Sequence, residues 1–291
     1  MRLSSITGIV MAMLVMIIGG CGGGQKDDRP AIAVSFEPQA WMLRQIVGED
    51  FDIVTLLPAG SDPETYQPSI STMKELGKAE AFFTLGTDGF EKSLTNSISS
   101  NFPELKIVDC TDGVEKITGT HGHHSHEAHD HDPEEFDPHL LASIKNSIRI
   151  ADNMTRYMSI IHPKKADFYL KAGEDLKQRL IAMDDSISRM NIAGRGFAMR
   201  HPSLSYLARD YGLTQTALQA DGKEASPLQL SRQMDEIKNS GAKVFILEKE
   251  HYSAGDEATA KQLGLKTIEV SLNSSDWLDD LMTIANEINR D

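Results

Sequence analysis

The chain has 291 residues, 40% of them hydrophobic, and a formal net charge of −14 at pH 7. That acidic balance argues against nucleic acid or anionic lipid as charge-driven partners and suits the attraction of cations. With only Cys21 and Cys110, a disulfide framework and a cysteine-built zinc site are both excluded, while the length suffices for one large or two modest domains.

The opening segment, MRLSSITGIVMAMLVMIIGGC, has a basic start at Arg2 and an unbroken apolar run from Ile9 to Ile18. Such a run is too short to cross about 30 Å of hydrocarbon, so residues 1–20 read as an export signal. Ile18-Gly19-Gly20-Cys21 resembles the lipobox of bacterial lipoproteins, which implies cleavage before Cys21 and lipidation of that Cys; a plain signal peptide with an incidental Cys is the alternative. Residues 21–30, rich in glycine, read as a tether. Cleavage removes Arg2 alone among the charged groups and moves the net charge from −14 to −15. The mature chain is thus expected outside the cytoplasm, in the periplasm or at the cell exterior, anchored to a membrane.

From Ala31 onward, short β-branched and aromatic runs alternate with helical periodicity. Strands are predicted at 31–36, 52–58, 81–86 and 106–110, with helices around Gln39–Val47, Ser71–Lys78 and Glu91–Asn101. The pattern resumes with strands at 196–199, 214–219, 243–248 and 266–271, and helices at Ser203–Tyr211, Pro227–Ser240, Asp256–Leu263 and Trp277–Asn289. Strands spaced by helices imply parallel sheets covered on both faces. The fold class is therefore α/β, with two lobes each holding a mostly parallel four-stranded sheet. Between them, residues 163–190 carry apolar positions at helical spacing behind Pro163, which suits a helix's first position. That segment reads as one long backbone helix joining an N-terminal lobe (31–162) to a C-terminal lobe (191–291), and a helix so placed implies little hinge opening. Cys110 reads as a buried small hydrophobe, and Trp41 and Trp277 as packing residues on helices.

HGHHSHEAHDHD, inside a polar loop at 120–132, gathers six of the ten histidines: His121, His123, His124, His126, His129 and His131. Neutral imidazole suits Zn, Cu, Ni and Fe, so the tract reads as a loose metal-collecting loop. Better-organised donors are expected where loops leave the carboxyl ends of strands. LLPAGSDPETYQPSI carries Glu64, EFDPHLLAS carries His139, and FAMRHPSLSYLARDYGL carries His201. Taken singly, Glu64 is also a helix-start carboxylate, His139 a residue that simply follows an Asp-Pro turn, and His201 a helix cap or a partner of a core carbonyl. Taken together, two His and one carboxylate suit a borderline cation such as Zn²⁺.

These motifs, with DGKEASPLQL and GLKTIEV, resemble those of the metal-binding lipoproteins of zinc and manganese ABC importers, the cluster A-I solute-binding proteins. The resemblance covers essentially the mature chain, and the His/Asp tract directly before DPH is typical of the zinc branch. It implies metal ligation by His139 and His201, and by Glu64 where the family usually places a histidine; a carboxylate there keeps Mn²⁺ open beside Zn²⁺. Many members supply an Asp at the last strand. Here Ser271 stands near that position, so Glu250, His251 and Ser271 are all candidates for a fourth ligand. The function implied is extracytoplasmic capture of a divalent ion by a monomer that delivers it to an ABC-type permease. Two other readings stand beside it: a zinc-buffering or adhesive surface lipoprotein, and a metal-dependent hydrolase, against which the chain shows neither HExxH nor a nucleophile elbow.

Overall fold

The computed structural model describes residues 29–87, 90–118, 136–219 and 225–290. In chain order the first lobe holds β1 (Ala31–Val34), α1 (Glu37–Val47), β2 (Asp52–Thr55), α2 (Ile70–Leu76), β3 (Ala79–Thr84), α3 (Phe90–Asn101) and β4 (Lys106–Asp109). Two long helices follow, α4 (Ile144–Ile161) and α5 (Ala166–Ser188). The second lobe holds β5 (Gly196–Met199), α6 (Ser205–Tyr211), β6 (Thr214–Ala217), α7 (Pro227–Asn239), β7 (Val244–Glu248), α8 (Asp256–Leu263), β8 (Lys266–Val270) and α9 (Trp277–Asn289). Strand order is β2-β1-β3-β4 in one sheet and β6-β5-β7-β8 in the other, and every pairing is parallel. This is the expected α/β architecture of two four-stranded sheets.

The side-chain alternation of the strands explains why each sheet is covered twice. On β1 and β3, Ile32, Val34, Ala81 and Phe83 face α1, α4 and α5, whereas Ala33 and Phe82 face Leu76, Leu94 and Ile98 of α2 and α3. The second sheet repeats the device, with Phe197 and Met199 on one face and Ala198, Phe245 and Leu247 against Ile237 and Ala260 on the other. Each of the Ile, Val, Leu, Phe and Met side chains among these, fully buried, contributes about 1.5–3 kcal/mol, and the alanines less. The larger core is continuous from Ile32 and Phe83 through Leu176, Leu180 and Ile187 of α5 to Leu281 and Ile284 of α9. One apolar body therefore runs through both lobes.

Several boundaries differ from the sequence expectation for local reasons. β1 ends at Val34 because the backbone N–H groups of Ser35 and Phe36 both donate to Gln39 Oε1, at 3.2 and 3.0 Å, which turns the chain into α1 two residues early. The expected helix from Pro163 begins as a 3₁₀ turn, Pro163–Lys165; Lys165 (φ −114°, ψ 8°) is not α-helical, and α5 starts only at Ala166. Its 23 residues still span about 35 Å, and they touch α1, α4 and α9. The α4–α5 approach depends on Gly173, where a Cβ would lie 2.2 Å from Thr155 Oγ1. Cys110 and Trp277 are buried as expected. Among the described residues no helix is long and apolar enough to cross a membrane. The export signal, Cys21 and the histidine loop lie outside the described residues.

Candidate metal centre

Four loops at the carboxyl ends of strands, or next to them, meet between the lobes. The β2–α2 loop brings Glu64. Its turn is set by Asp62, whose carboxylate accepts from Glu64 N at 2.8 Å and from Thr65 Oγ1 at 3.0 Å. His139 precedes a 3₁₀ turn, Leu140–Ala142, and α4 then begins behind Ser143, whose hydroxyl caps it by accepting from Asn146 N. His201 leaves β5 in a short loop before α6 and is 4% exposed. His251 ends the 3₁₀ turn Lys249–His251 that follows β7.

The histidine nitrogens converge. His139 Nε2 and His201 Nε2 are 3.2 Å apart, and the His251 ring stacks on His201 with centroids 4.1 Å apart. One nitrogen from each of the three lies within 4.8 Å of the others, and Glu64 Oε1 is 3.6 Å from His201 Nε2. A tetrahedral ion with Zn–N bonds of about 2.0–2.1 Å holds its donors roughly 3.3 Å apart, so these spacings suit a single cation.

The surroundings aim and tune these donors. Asp137 Oδ1 accepts from His139 N at 2.9 Å and from its Nδ1–H at 2.8 Å, which turns the lone pair of Nε2 toward the cleft. Tyr206 in turn donates to the Asp137 carbonyl at 2.7 Å. Burial disfavours charge on His139, but the Asp137 hydrogen bond and charge outweigh it and raise the imidazole's pKa. His201 moves the other way: burial, then the neighbouring His139, push it down to about 3, so it stays neutral. Burial also lowers His251. Behind the imidazoles, burial pushes Glu248 up to about 7, against a hydrogen bond accepted from Ser203 Oγ at 2.5 Å. A cavity of about 270 Å³ adjoins the group, walled by Phe36, Leu57, Leu85, Phe136 and Trp277.

Of the three residues expected first, Glu64, His139 and His201 are all brought together. The three fourth candidates separate. His251 enters the group; Glu250 lines the adjoining cavity with Oε1 taken by Ser271 Oγ at 2.5 Å and Asn273 N at 3.1 Å. Ser271 is engaged elsewhere: its hydroxyl is spent on Glu250, and its backbone N–H donates to Asp280. Sequence reasoning missed Asp137, although a carboxylate two residues before His139 was a usable signal, and it missed Glu248, which nothing but the end of a strand marked.

Residues 32–285 match the family model described as the periplasmic component A of the zinc-uptake complex. The chain belongs to this family. Its relatives include the zinc-binding protein AdcA of Streptococcus pyogenes serotype M3, 26% identical over 257 residues, covering 82% of this chain and 50% of that protein. The zinc-binding lipoprotein AdcA of Streptococcus pneumoniae serotype 4 is 23% identical over 275 residues, covering 91% and 54%. The chain thus spans about half the length of these streptococcal relatives. A crystal structure of ZnuA superposes with a TM-score of 0.80 at 25% identity, over 90% of this chain and 98% of that one.

Proposed function

We propose that this family member captures Zn²⁺ outside the cytoplasm and delivers it to an ABC-type permease, with Glu64, His139, His201 and His251 as ligands. The convergence of three imidazoles and a carboxylate from both lobes supports this reading most directly, and the zinc-binding relatives point the same way. Three nitrogens against one oxygen favour Zn²⁺ over Mn²⁺, which prefers carboxylate, carbonyl and water. The reading is of a binding protein, not an enzyme. Four protein donors close a tetrahedral site, whereas a catalytic zinc keeps one position for water. The histidine loop would serve as a weaker collector, and a lipid on Cys21 as the anchor.

The test is calorimetric titration of the metal-stripped chain, with and without residues 120–132, with Zn²⁺ and Mn²⁺ in parallel. Loop removal is expected to abolish weak sites and spare one tight zinc site, which His139→Ala, His201→Ala and His251→Ala each abolish. A tight site that survives all three substitutions would overturn the ligand assignment, and tighter binding of Mn²⁺ would overturn the choice of ion.

A further inference from the structure

Far from the metal centre, the α4–α5 hairpin ends in a tip with three water-exposed apolar side chains. Ile160, in the last turn of α4, is 66% exposed; Phe168 and Leu170, in the first turns of α5, are 53% and 49% exposed. Ala166 to Leu170 is an axial depth of about 6 Å, comparable with the roughly 5–10 Å to which interfacial segments enter a headgroup layer. The charges at the tip are balanced in sign: Lys165 pairs with Asp50, His162 Nε2 lies 3.0 Å from Glu80 Oε2, and the exposed Lys164 and Asp167 carry opposite charges. The tip therefore offers apolar contact without a cationic patch.

The position of the tip says what meets it. The turn between α1 and β2, Glu49–Asp52, is gripped from one side by the tip, through Lys165, through Tyr169 Oη donating to Asp50 at 2.9 Å, and through Phe51 edge-on to His162 at 4.9 Å. From the other side the same turn holds the chain's entry into the fold. Arg29 donates to the Glu49 carbonyl at 3.2 Å and lies 2.9 Å from Asp52, and Asp52 N donates to the Pro30 carbonyl at 3.0 Å. Cys21 precedes Arg29 by eight residues, a span that can reach at most roughly 28 Å. A lipid on Cys21 thus holds the bilayer within reach of the tip, and so short a tether gives an effective concentration on the order of millimolar, at which a weak apolar contact is populated.

We propose that the hairpin tip is a bilayer-contact surface, with Ile160, Phe168 and Leu170 resting in the phospholipid headgroup layer of the membrane that carries the anchor. This rests on the reading of Cys21 as lipidated. A cleaved chain with net charge −15, one positive charge (Arg2) fewer than the full −14, gains nothing from anionic headgroups, so the contact is short-ranged and apolar. Because all strands of the first sheet are parallel and β1 starts at this end, their carboxyl ends, and with them Glu64 and the histidines, point away from the membrane. The seated protein collects ions from the open side, and delivery requires it to leave the seat.

The experiment places a tryptophan reporter at either end of the full lipidated chain: Phe168→Trp at the tip, and Leu228→Trp at the exposed start of α7 on the carboxyl side. In phosphatidylcholine vesicles with brominated acyl chains, the added emission of Phe168→Trp is expected to be strongly quenched and that of Leu228→Trp unaffected. Adding Ile160→Ser and Leu170→Ser to Phe168→Trp should relieve the quenching. Emission of Phe168→Trp that is no more quenched than that of Leu228→Trp overturns the proposal. So does a dimer of the unlipidated Cys21→Ser chain, seen by sedimentation and lost with Ile160→Ser and Leu170→Ser, since the tip then faces a second copy. Intact mass separates the premises. Unmodified Cys21 overturns the anchor and this proposal together, whereas lipidated Cys21 with unquenched Phe168→Trp overturns this proposal alone.

Discussion

Asp137 accepts two hydrogen bonds from His139 and so sets that residue's tautomer, its orientation and its basicity. Asp137→Asn keeps the shape and removes the charge, and losses at such outer positions are typically about 10–100-fold in metal affinity. A fall of that size in zinc affinity, with secondary structure unchanged by circular dichroism, is the expected outcome; unaltered affinity would show that His139 needs no support. The same residues dictate a pH dependence. His201, held near 3, is already neutral and releases no proton when it binds an ion. Glu248, at about 7, and His139, raised above the ordinary imidazole range by Asp137, hold protons in acid that a dication beside them expels. Protons and Zn²⁺ then compete, so affinity falls as pH drops. Roughly two protons should be released per ion near pH 6 and fewer near pH 8, as read by calorimetry in buffers of different ionisation enthalpy.

At the scale of elements, the eight strands were legible because β-branched and aromatic runs bounded by turns leave few alternatives. The ends were less so: Gln39 reaching back to Ser35 and Phe36 is a side-chain event that no period records. The choice among Glu250, His251 and Ser271 was equally hidden, because it depends on how one 3₁₀ turn after β7 aims successive side chains. Glu64, His139 and His201 could be picked out since each sits in a proline-marked loop, but their meeting is a matter of lobe packing across more than 60 residues of chain. Gly173 shows the same limit. Nothing in the helical pattern of α5 announces that its Cα faces Thr155, yet a methyl there overlaps that side chain's Oγ1, Cγ2 and Cβ. Gly173→Ala is expected to cost about 1–3 kcal/mol through overpacking, despite alanine's better helix propensity. Denaturant unfolding measures the loss, and Thr155→Ala in the same chain should restore part of it.

For the whole molecule, the question is how an ion enters and leaves a site built from both lobes. Open two-domain binders commonly close by a hinge, which needs a thin connection between independent cores. Here the large core is unbroken from β1 through α5 to α9, so a wide rotation would have to tear apart side chains that are almost fully buried. The donors sit on short loops, and Glu64 keeps a 43% exposed side chain on a segment whose turn is made by Asp62. Ordering those loops costs far less than breaking the core. Zinc is therefore expected to leave the radius of gyration unchanged in solution scattering, while hydrogen exchange slows in the β2–α2 loop and after β7 and stays constant in α4, α5 and α9. A contraction in scattering accompanied by altered exchange along α5 would show that the bridge bends, and entry would then be governed by the lobes and not by the loops.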